Sequence, residues 1–373
     1  MDSAPKPGTR LTGEIVYLYA YDIAYEMSRT PVTQLLGHPV TPFKVDTGRR
    51  GPRHLLFHQP QTVRLPPSDR TGPLGPSRVG MTVKLLPIGA ISIAVRVPFD
   101  VEKLQDLVIF HDLQFADGAL YDDVRRLAEK IRGELAPHIL RPNGQLLEEE
   151  AYTVFCIHAP LRTPAGSPFR AEAWLDVHRR EIAALLTQDG ASDLSRQEVL
   201  ESTSRSLSYH EDDLIVIDWD AALLVDQPAD TAEAIHILEL ANLQLAELEA
   251  YDRHLDASLE RSYRDLGNSP LRRRADVLRE LRELRIDMAR FRDELSNLSK
   301  FFGDWHLARV YEAAAVRFHL ADWHRAVDDK LKTLDDLHQI LKSDQSNRWM
   351  MILEVTVVLL FIIDLVMLFV GMK

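Results

Sequence analysis

The residues best suited to nucleophilic chemistry are a cysteine and a histidine two positions apart. Cys156 and His158 lie in the segment YTVFCIH, whose β-branched and aromatic residues predict a strand. Side chains two positions apart on a strand share one face, so a thiolate–imidazole dyad is conceivable. A buried structural cysteine beside a histidine explains the same residues more simply. The chain also lacks the motifs GxxxxGK[ST], GxGxxG, HExxH and GxSxG. We therefore predict no catalytic residue and a protein that is not an enzyme.

Two further groups of residues could hold a metal ion. His319, Asp322, His324 and Asp328 fall on one predicted helix, and the last two are one turn apart, a spacing that suits two metal ligands. The acidic run 211–213 (Glu-Asp-Asp) could bind a divalent cation. An amphipathic helix that contains histidines and a turn rich in acids are the simpler explanations. We predict no metal site and no cofactor.

Two carboxylates interrupt an otherwise apolar C-terminal segment, and they are the most informative polar residues of the chain. Residues 349–372 carry only Glu354 and Asp364 as charged side chains. As a helix this segment spans about 36 Å, enough to cross a bilayer. Asp364 lies about 22 Å from Trp349 along that helix. A carboxylate at that depth costs roughly 3 kcal/mol, so we expect its polar partner to come from another copy or another protein. A protonated Asp364 without function is the alternative.

The residues that flank this segment predict its orientation. Arg348 and Trp349 mark the membrane entry, Lys342 precedes them, and only Lys373 lies beyond the segment. This distribution favours a cytoplasmic location for the preceding chain. Residues 1–10 (MDSAPKPGTR) resemble neither a secretory signal nor a transit peptide. We expect a single-pass protein of the inner (cytoplasmic) membrane with a cytoplasmic N-terminal domain.

A helical section is predicted to precede the membrane segment, over residues 228–345. Its apolar residues alternate at steps of three and four, which is typical of long helices that pair as coiled coils. The cleanest seam lies in the second predicted helix and includes Leu281, Leu284, Met288, Phe291, Leu295 and Leu298. We expect a helical hairpin and a stalk.

Charge favours an antiparallel pairing of the first two of these helices. Residues 210–260 carry fourteen acidic side chains and one basic one, whereas residues 261–292 carry ten arginines and five acids. An acidic helix folded against a basic one suits interhelical ion pairs. Two separately solvated faces remain the alternative.

The chain before this section predicts a mixed α/β domain over residues 13–226, preceded by a flexible N-terminus over residues 1–12. Segment 13–21 (GEIVYLYAY) alternates Ile and Tyr on one face, as a strand does. Five prolines and three glycines in residues 60–80 predict a surface loop. The fold class is therefore α+β: a mixed α/β domain, coiled-coil-like helices and one C-terminal transmembrane helix.

Composition excludes several classes of protein. The 373 residues are 46% hydrophobic and 27% charged, values that argue against a disordered chain or a multi-span transporter. The formal net charge of −12 gives no footprint for nucleic acid, so we expect no nucleic-acid partner. A single cysteine excludes an intrachain disulfide.

The C-terminal residues resemble the family of required-for-meiotic-nuclear-division (Rmd) proteins. Segment 318–341 (FHLADWHRAVDDKLKTLDDLHQIL), a polar gap, and then Arg348 with Leu353 and Glu354 at the membrane entry are similar to that family's C-terminal end. The resemblance implies an α/β region, a long helical section and one terminal span. It also implies membrane anchoring and homo-oligomers without an established catalytic activity.

A second resemblance, of architecture, is to the CorA magnesium channels. The ending 369–373 (FVGMK) is similar to their Gly-Met-Asn signature, but the asparagine and the second span that follows it are absent. Taken together, these observations predict a membrane-anchored, self-associating, non-enzymatic scaffold or assembly protein. Its expected partners are the lipid bilayer and further copies of itself, and no other protein partner is indicated. The alternative is a CorA-like oligomeric cation channel or transporter with an intramembrane ring of Asp364 and Glu354 carboxylates.

Overall fold

The computed structural model of the chain describes most of the N-terminal domain and of the C-terminal helices. The described residues are 10–28, 31–42, 61–86, 89–142, 146, 149–158, 170–191, 193–268, 282, 285–286 and 305–370. Two compact units are present, one of residues 1–250 with 290–323 and one of residues 251–289 with 324–373.

The first unit begins with long strands and continues with alternating strands and helices. The strands up to the first helix are β1 (Leu11–Asp22), β2 (Ala24–Met27), β3 (Gln34–Leu35), β4 (His38–Pro39), β5 (Thr41–Pro42), β6 (Gln61–Gly72), β7 (Gly75–Leu85), β8 (Ala90–Val101), β9 (Gln114–Phe115) and β10 (Gly118–Ala119). A 3-10 helix, Leu104–Phe110, lies between β8 and β9.

The elements that follow are α1 (Leu120–Leu135), the 3-10 helix Ala136–His138, β11 (Ile139–Pro142), β12 (Glu150–His158), α2 (Ala171–Thr187), α3 (Arg196–Ser202), β13 (Ser206–Leu207), β14 (Leu214–Ile217) and β15 (Ala221–Asp226). Three helices complete the described chain: α4 (Thr231–Asn268), α5 (Trp305–Arg317) and α6 (Leu320–Val370). No separate helix was predicted over α5 from the sequence.

The main sheet is nine-stranded over the described residues, in the order β13-β14-β15-β12-β1-β8-β7-β6-β5. The pair β12–β15 is parallel, and the other pairs are antiparallel. The parallel pair requires a crossover, and α2 and α3 lie in the chain between its two strands. The coarse prediction of a mixed α/β domain followed by helices is confirmed.

Strand β1 lies near the centre of this sheet, between β12 and β8. Its odd-numbered residues Ile15, Tyr17, Tyr19 and Tyr21 are buried in one core cluster, as their alternation predicted. Gly13 is a position of close approach, because a Cβ atom there would lie 1.9 Å from the carbonyl oxygen of Cys156. Only glycine fits there without displacing the backbone of β12.

Helices cover both faces of the sheet. Buried residues of α1 recur at helical spacing, for example Val124, Ala128 and Ile131, and they join the core cluster on the tyrosine face. On the opposite face Ala20 packs with Leu243 and Ala246 of α4. Helices α1 and α4 thus cover opposite faces of the sheet.

The loop predicted over residues 60–80 is wrong, because β6 and β7 form a hairpin across it. Two of the prolines that suggested a loop occupy positions that a strand tolerates. Pro66 and Pro67 lie where the pairing of β6 with β7 shifts register between Leu65 and Ser68. Gly75, at φ +108°, supplies the left-handed residue at the tip of the hairpin.

The second unit contains the C-terminal part of α4 and most of α6. Leu255 of α4 and Val327 and Leu334 of α6 are buried there, and the last two are seven residues apart. Lys330 of α6 forms ion pairs of 2.7 Å with Asp252 and with Asp256 of α4. Two of the acidic residues of α4 thus pair with α6. The seam residues Leu281, Leu284, Met288, Phe291, Leu295 and Leu298 lie outside the described residues.

Helix α6 is one element of 51 residues, and it joins the end of the predicted helical section, 228–345, to the span predicted from Trp349. The segment at this junction, 342–348 (KSDQSNR), contains neither proline nor glycine, so nothing in it ends a helix. Its last part, Trp349–Met367, is long and apolar enough to cross a membrane. Where their burial is described, the side chains of this stretch are exposed.

Candidate functional site

Cys156 lies at the centre of the sheet and is fully buried. On β12 it stands opposite Glu14 of β1 and Leu224 of β15. Burial raises the pKa of the thiol far above its usual value, so the sulfur is protonated and not nucleophilic at neutral pH. Cys156 is accordingly a core residue of the sheet.

The two groups considered as metal ligands do not converge. His319 Nδ1 lies 3.3 Å from Asp322 Oδ2, one helical turn away. In the acidic run, the Asp213 carboxylate accepts backbone N–H bonds from Tyr209 and His210, so it stabilises a turn. Among the described residues, no three His, Cys, Asp or Glu side chains could hold a metal ion together.

The residues predicted for the membrane segment all lie on α6. Arg348, Trp349, Glu354 and Asp364 belong to its last 23 residues, counted from 348 to 370. Trp349 and Glu354 are exposed. The structure does not describe the side chains of Arg348 and Asp364, so their predicted roles stay predictions.

A buried charged cluster joins α4 to the sheet, and it was not predicted from the sequence. Lys84 of β7 donates to the Glu239 carboxylate of α4, and its Nζ lies 3.2 Å from His236 Nδ1. Ser92 of β8 donates to the other oxygen of Glu239 at 2.6 Å. Lys84 and the nearby His236 hold the pKa of Glu239 well below its usual value despite burial. Each group satisfies another, which is what a structural cluster requires.

A cavity of about 530 Å³ lies at the opposite, tyrosine-bearing face of the sheet. We call it the tyrosine cavity and define it by Tyr17, Tyr19, His111, Asp112 and Tyr121, which line it. Tyr17 and Tyr19 point into this face because they alternate with Val16 and Leu18 along β1. His111 and Asp112 follow the 3-10 helix Leu104–Phe110, and Tyr121 lies in the first turn of α1.

His111 is the unusual residue of the tyrosine cavity. Both of its ring nitrogens are shielded from solvent and have no hydrogen-bond partner among the described residues, while the ring packs edge-on against Phe155 at 5.4 Å. Burial lowers the pKa of His111 to about 4, although the adjacent Asp112 carboxylate opposes this shift. The imidazole is therefore neutral at pH 7 and carries one donor and one acceptor.

The charge inside the tyrosine cavity is negative. Burial raises the pKa of the Tyr17 and Tyr19 hydroxyls, and the Asp112 carboxylate adds a smaller increase. Asp220, from the turn between β14 and β15, also lines the cavity, and burial raises its pKa. Among the described residues that line the cavity there is neither lysine nor arginine.

One residue of the cavity wall adopts a strained backbone conformation. Gln188 follows α2 with φ +62° and ψ +19°, the left-handed region that favours glycine at the end of a helix. It lines the tyrosine cavity. A glutamine in that conformation costs of the order of 1 kcal/mol, a strain that commonly accompanies functional positions.

The tyrosine cavity and the buried charged cluster differ in how much of each could be predicted from the sequence. The alternation of tyrosines on β1 pointed to one buried aromatic face. Nothing in the spacing connected His111 to that face, since the two segments are more than 80 residues apart. Lys84 and Glu239 are 155 positions apart, so only the tertiary structure brings them together.

The fold and the cavity define a class: a mixed α/β sheet protein with helices on both faces and a long apolar C-terminal helix. Residues 12–231 match the family described as "Uncharacterized protein MJ0711, N-terminal domain", and the chain belongs to that family. The match ends at Thr231, the first residue of α4.

The relative found among curated proteins is the uncharacterized protein MJ0711 of Methanocaldococcus jannaschii. It is 22% identical over 245 residues, which cover 65% of this chain and 72% of that protein. No solved structure matches the chain. The Rmd resemblance was drawn on residues 318–354, outside the family match, and stays a prediction.

Proposed function

We propose that this protein is a membrane-anchored, self-associating, non-enzymatic scaffold that presents its sheet domain at the cytoplasmic face of the inner membrane. The observation that carries the proposal is helix α6, which packs against α4 over its first part and exposes an apolar stretch over its last part. The proposal keeps the α+β organisation and adds to it the coiled-coil-like pairing and the membrane insertion of the C-terminal helix.

The packed part of α6 supports the stalk. Val327 and Leu334 are buried seven residues apart, the interval of a heptad repeat, and Leu337 follows three residues later. Lys330 lies between them and bridges two carboxylates of α4 one turn apart. An ion pair at the edge of a helical seam favours one register more than it adds stability.

The apolar part of α6 supports the anchor. Trp349–Met367 exposes a continuous surface of Leu, Ile, Val, Met and Phe side chains. Exposed apolar patches of this extent mark contact with lipid or with another protein. A helix satisfies all its backbone hydrogen bonds internally, which insertion into a bilayer requires.

Self-association follows from the carboxylates of this helix. The described residues contain one candidate span, so we expect the polar partner of Asp364 within the bilayer to come from neighbouring copies. Glu354 lies ten positions earlier, about 80° away around the helix, so both can take part in one broad interface.

Removing the Asp364 carboxylate tests the proposal. We expect the full chain in detergent micelles to form a homo-oligomer of defined mass, and Asp364→Leu to change that mass. Val366→Leu, two positions away in the same stretch, is the matched control and should keep the wild-type mass. Native mass spectrometry and chemical crosslinking are the measurements. A wild-type chain that crosslinks only as a monomer contradicts the proposal.

A second function, cation transport, is favoured by the same acidic residues in an apolar helix. Several copies would then line an ion path with Asp364 and Glu354. Divalent-cation flux into liposomes that contain the full chain separates the two functions. Flux that Asp364→Asn abolishes supports a channel, and absence of flux supports the scaffold.

A further inference from the structure

We propose that the tyrosine cavity is a binding site for a small organic cation that carries N–H donors. This inference does not depend on membrane anchoring, because every residue that carries it lies in the first compact unit.

Size and wall chemistry fit a small ligand. A cavity of about 530 Å³ is within the range of small-molecule sites. Tyr17 and Tyr19 form a rigid wall, since both are buried and the Tyr17 hydroxyl donates to the carbonyl oxygen of Phe110 at 2.5 Å. Tyr121 is 45% exposed and also lines the cavity. Aromatic rings attract cations to their faces, so three tyrosines in the lining favour a cationic ligand.

Charge selects the sign of the ligand. Asp112 lines the cavity together with Tyr17, Tyr19 and His111, and Asp220 is a second carboxylate of its wall. Neither Asp112 nor Asp220 forms an ion pair in the part of the chain that the structure describes. Arg125, which donates to the Tyr121 hydroxyl, is itself paired with Glu149 at 3.2 Å. An anionic ligand would therefore meet uncompensated carboxylates, and a cationic one would neutralise them.

Hydrogen bonding selects N–H donors. Asp112 lines the cavity and its side chain is exposed, so its carboxylate can accept N–H bonds from a ligand. A protonated amine adds charge attraction to these hydrogen bonds, because its ammonium group is cationic and carries three N–H donors.

The test uses three ligands that share one phenol body and differ in charge: tyramine, which is cationic, tyrosol, which is neutral, and phloretate, which is anionic. Isothermal titration calorimetry of the full chain in lipid nanodiscs, with empty nanodiscs as the blank, measures each affinity. We expect tyramine to bind at least about tenfold more tightly than tyrosol, and phloretate to bind most weakly.

Two variants locate the site. Asp112→Asn should weaken tyramine about tenfold and leave tyrosol nearly unchanged, because the amide keeps the shape and removes the charge. Tyr121→Leu should weaken both ligands by a few fold. Asp69→Asn, an exposed carboxylate on β6 outside the cavity, is the control and should change neither.

The charge series on the wild-type chain does not require any variant to fold. Tyrosol or phloretate binding as tightly as tyramine overturns the proposal, as does an Asp112→Asn variant with wild-type affinity for tyramine. Tyramine binding no better than to empty nanodiscs overturns it as well. None of these results bears on the oligomer mass that tests the scaffold.

Discussion

The two faces of the central sheet bury polar side chains in opposite ways. On the α4 face, Lys84, Glu239, His236 and Ser92 satisfy one another within 3.6 Å. On the other face, both ring nitrogens of His111 are shielded from solvent, and neither has a hydrogen-bond partner among the described residues. A closed network of charges holds a fold together, whereas exposed carboxylates that line a cavity, such as Asp112 and Asp220, are available to a ligand.

The difference between the two faces corresponds to how helices meet the sheet on each face. Helix α4 contributes His236 and Glu239 to the buried charged cluster. Its packing on the sheet therefore also supplies the carboxylate that pairs with Lys84. The tyrosine cavity instead lies where the 3-10 helix, the start of α1 and the end of α2 meet the sheet. The ends of these helices leave space above the sheet that the side of a continuous helix would fill.

The largest effect is expected from breaking the buried charged cluster. Glu239→Gln removes the carboxylate to which the buried Lys84 ammonium donates and should lower the free energy of unfolding by about 3 kcal/mol. Denaturant titration of the full chain in a membrane mimetic, followed by near-ultraviolet circular dichroism, measures it.

The control for this prediction is an exposed ion pair of the same sheet. Arg10 and Asp100 pair at 2.7 Å with side chains more than half exposed. Asp100→Asn should cost less than about 1 kcal/mol. If Glu239→Gln costs no more than this control, the cluster does not hold α4 to the sheet.

An intermediate effect is expected from the protonation of His111. Its pKa is about 4 in the folded chain, below the ordinary value of 6.5. The folded chain binds the His111 proton less readily than the unfolded chain does. The free energy of unfolding is therefore unaffected by His111 above pH 6.5 and decreases as the pH falls toward 4. We expect the wild type to lose about 2 kcal/mol more over this interval than His111→Gln does.

The measurement is the free energy of unfolding of both proteins at pH 7, 5.5 and 4. Carboxylates titrate in the same range, but they do so in both proteins and cancel in the difference. Parallel pH profiles for the two proteins would show that His111 is not held neutral by its surroundings.

The smallest effect is expected at Gln188. Glycine adopts the left-handed conformation without strain, so Gln188→Gly should raise the free energy of unfolding by about 0.5 kcal/mol, after the added freedom of the unfolded chain is subtracted. Thermal unfolding measures this effect. The same variant should weaken tyramine binding if the side chain contributes to the cavity.

The control for this substitution is the next residue along the chain. Asp189 is exposed and does not have a positive φ, so glycine relieves no strain there. Asp189→Gly adds only freedom to the unfolded chain and should not stabilise the protein. Equal changes in the two variants would show that the left-handed conformation of Gln188 carries no strain.

The elements predicted correctly were those with a strong local period. The alternating tyrosines of β1 follow from which side chains a strand places on one face, and the apolar last part of α6 follows from consecutive residues. The hairpin of β6 and β7 was missed because proline counts describe local preference, and the register shift near Pro66 and Pro67 that tolerates them depends on the partner strand. Helix α5 was missed because no periodic pattern was assigned to residues 305–317.

The candidate sites divide in the same manner. The last helix is apolar over consecutive residues, apart from Glu354 and Asp364. Its apolar character can therefore be recognised without knowledge of the tertiary structure. The pairing of Lys84 with Glu239 and the meeting of Asp112 with the tyrosines of β1 depend on segments far apart in the chain. Local periodicity fixes which face of an element is apolar, but the neighbours of a buried charge are fixed only when distant elements pack together.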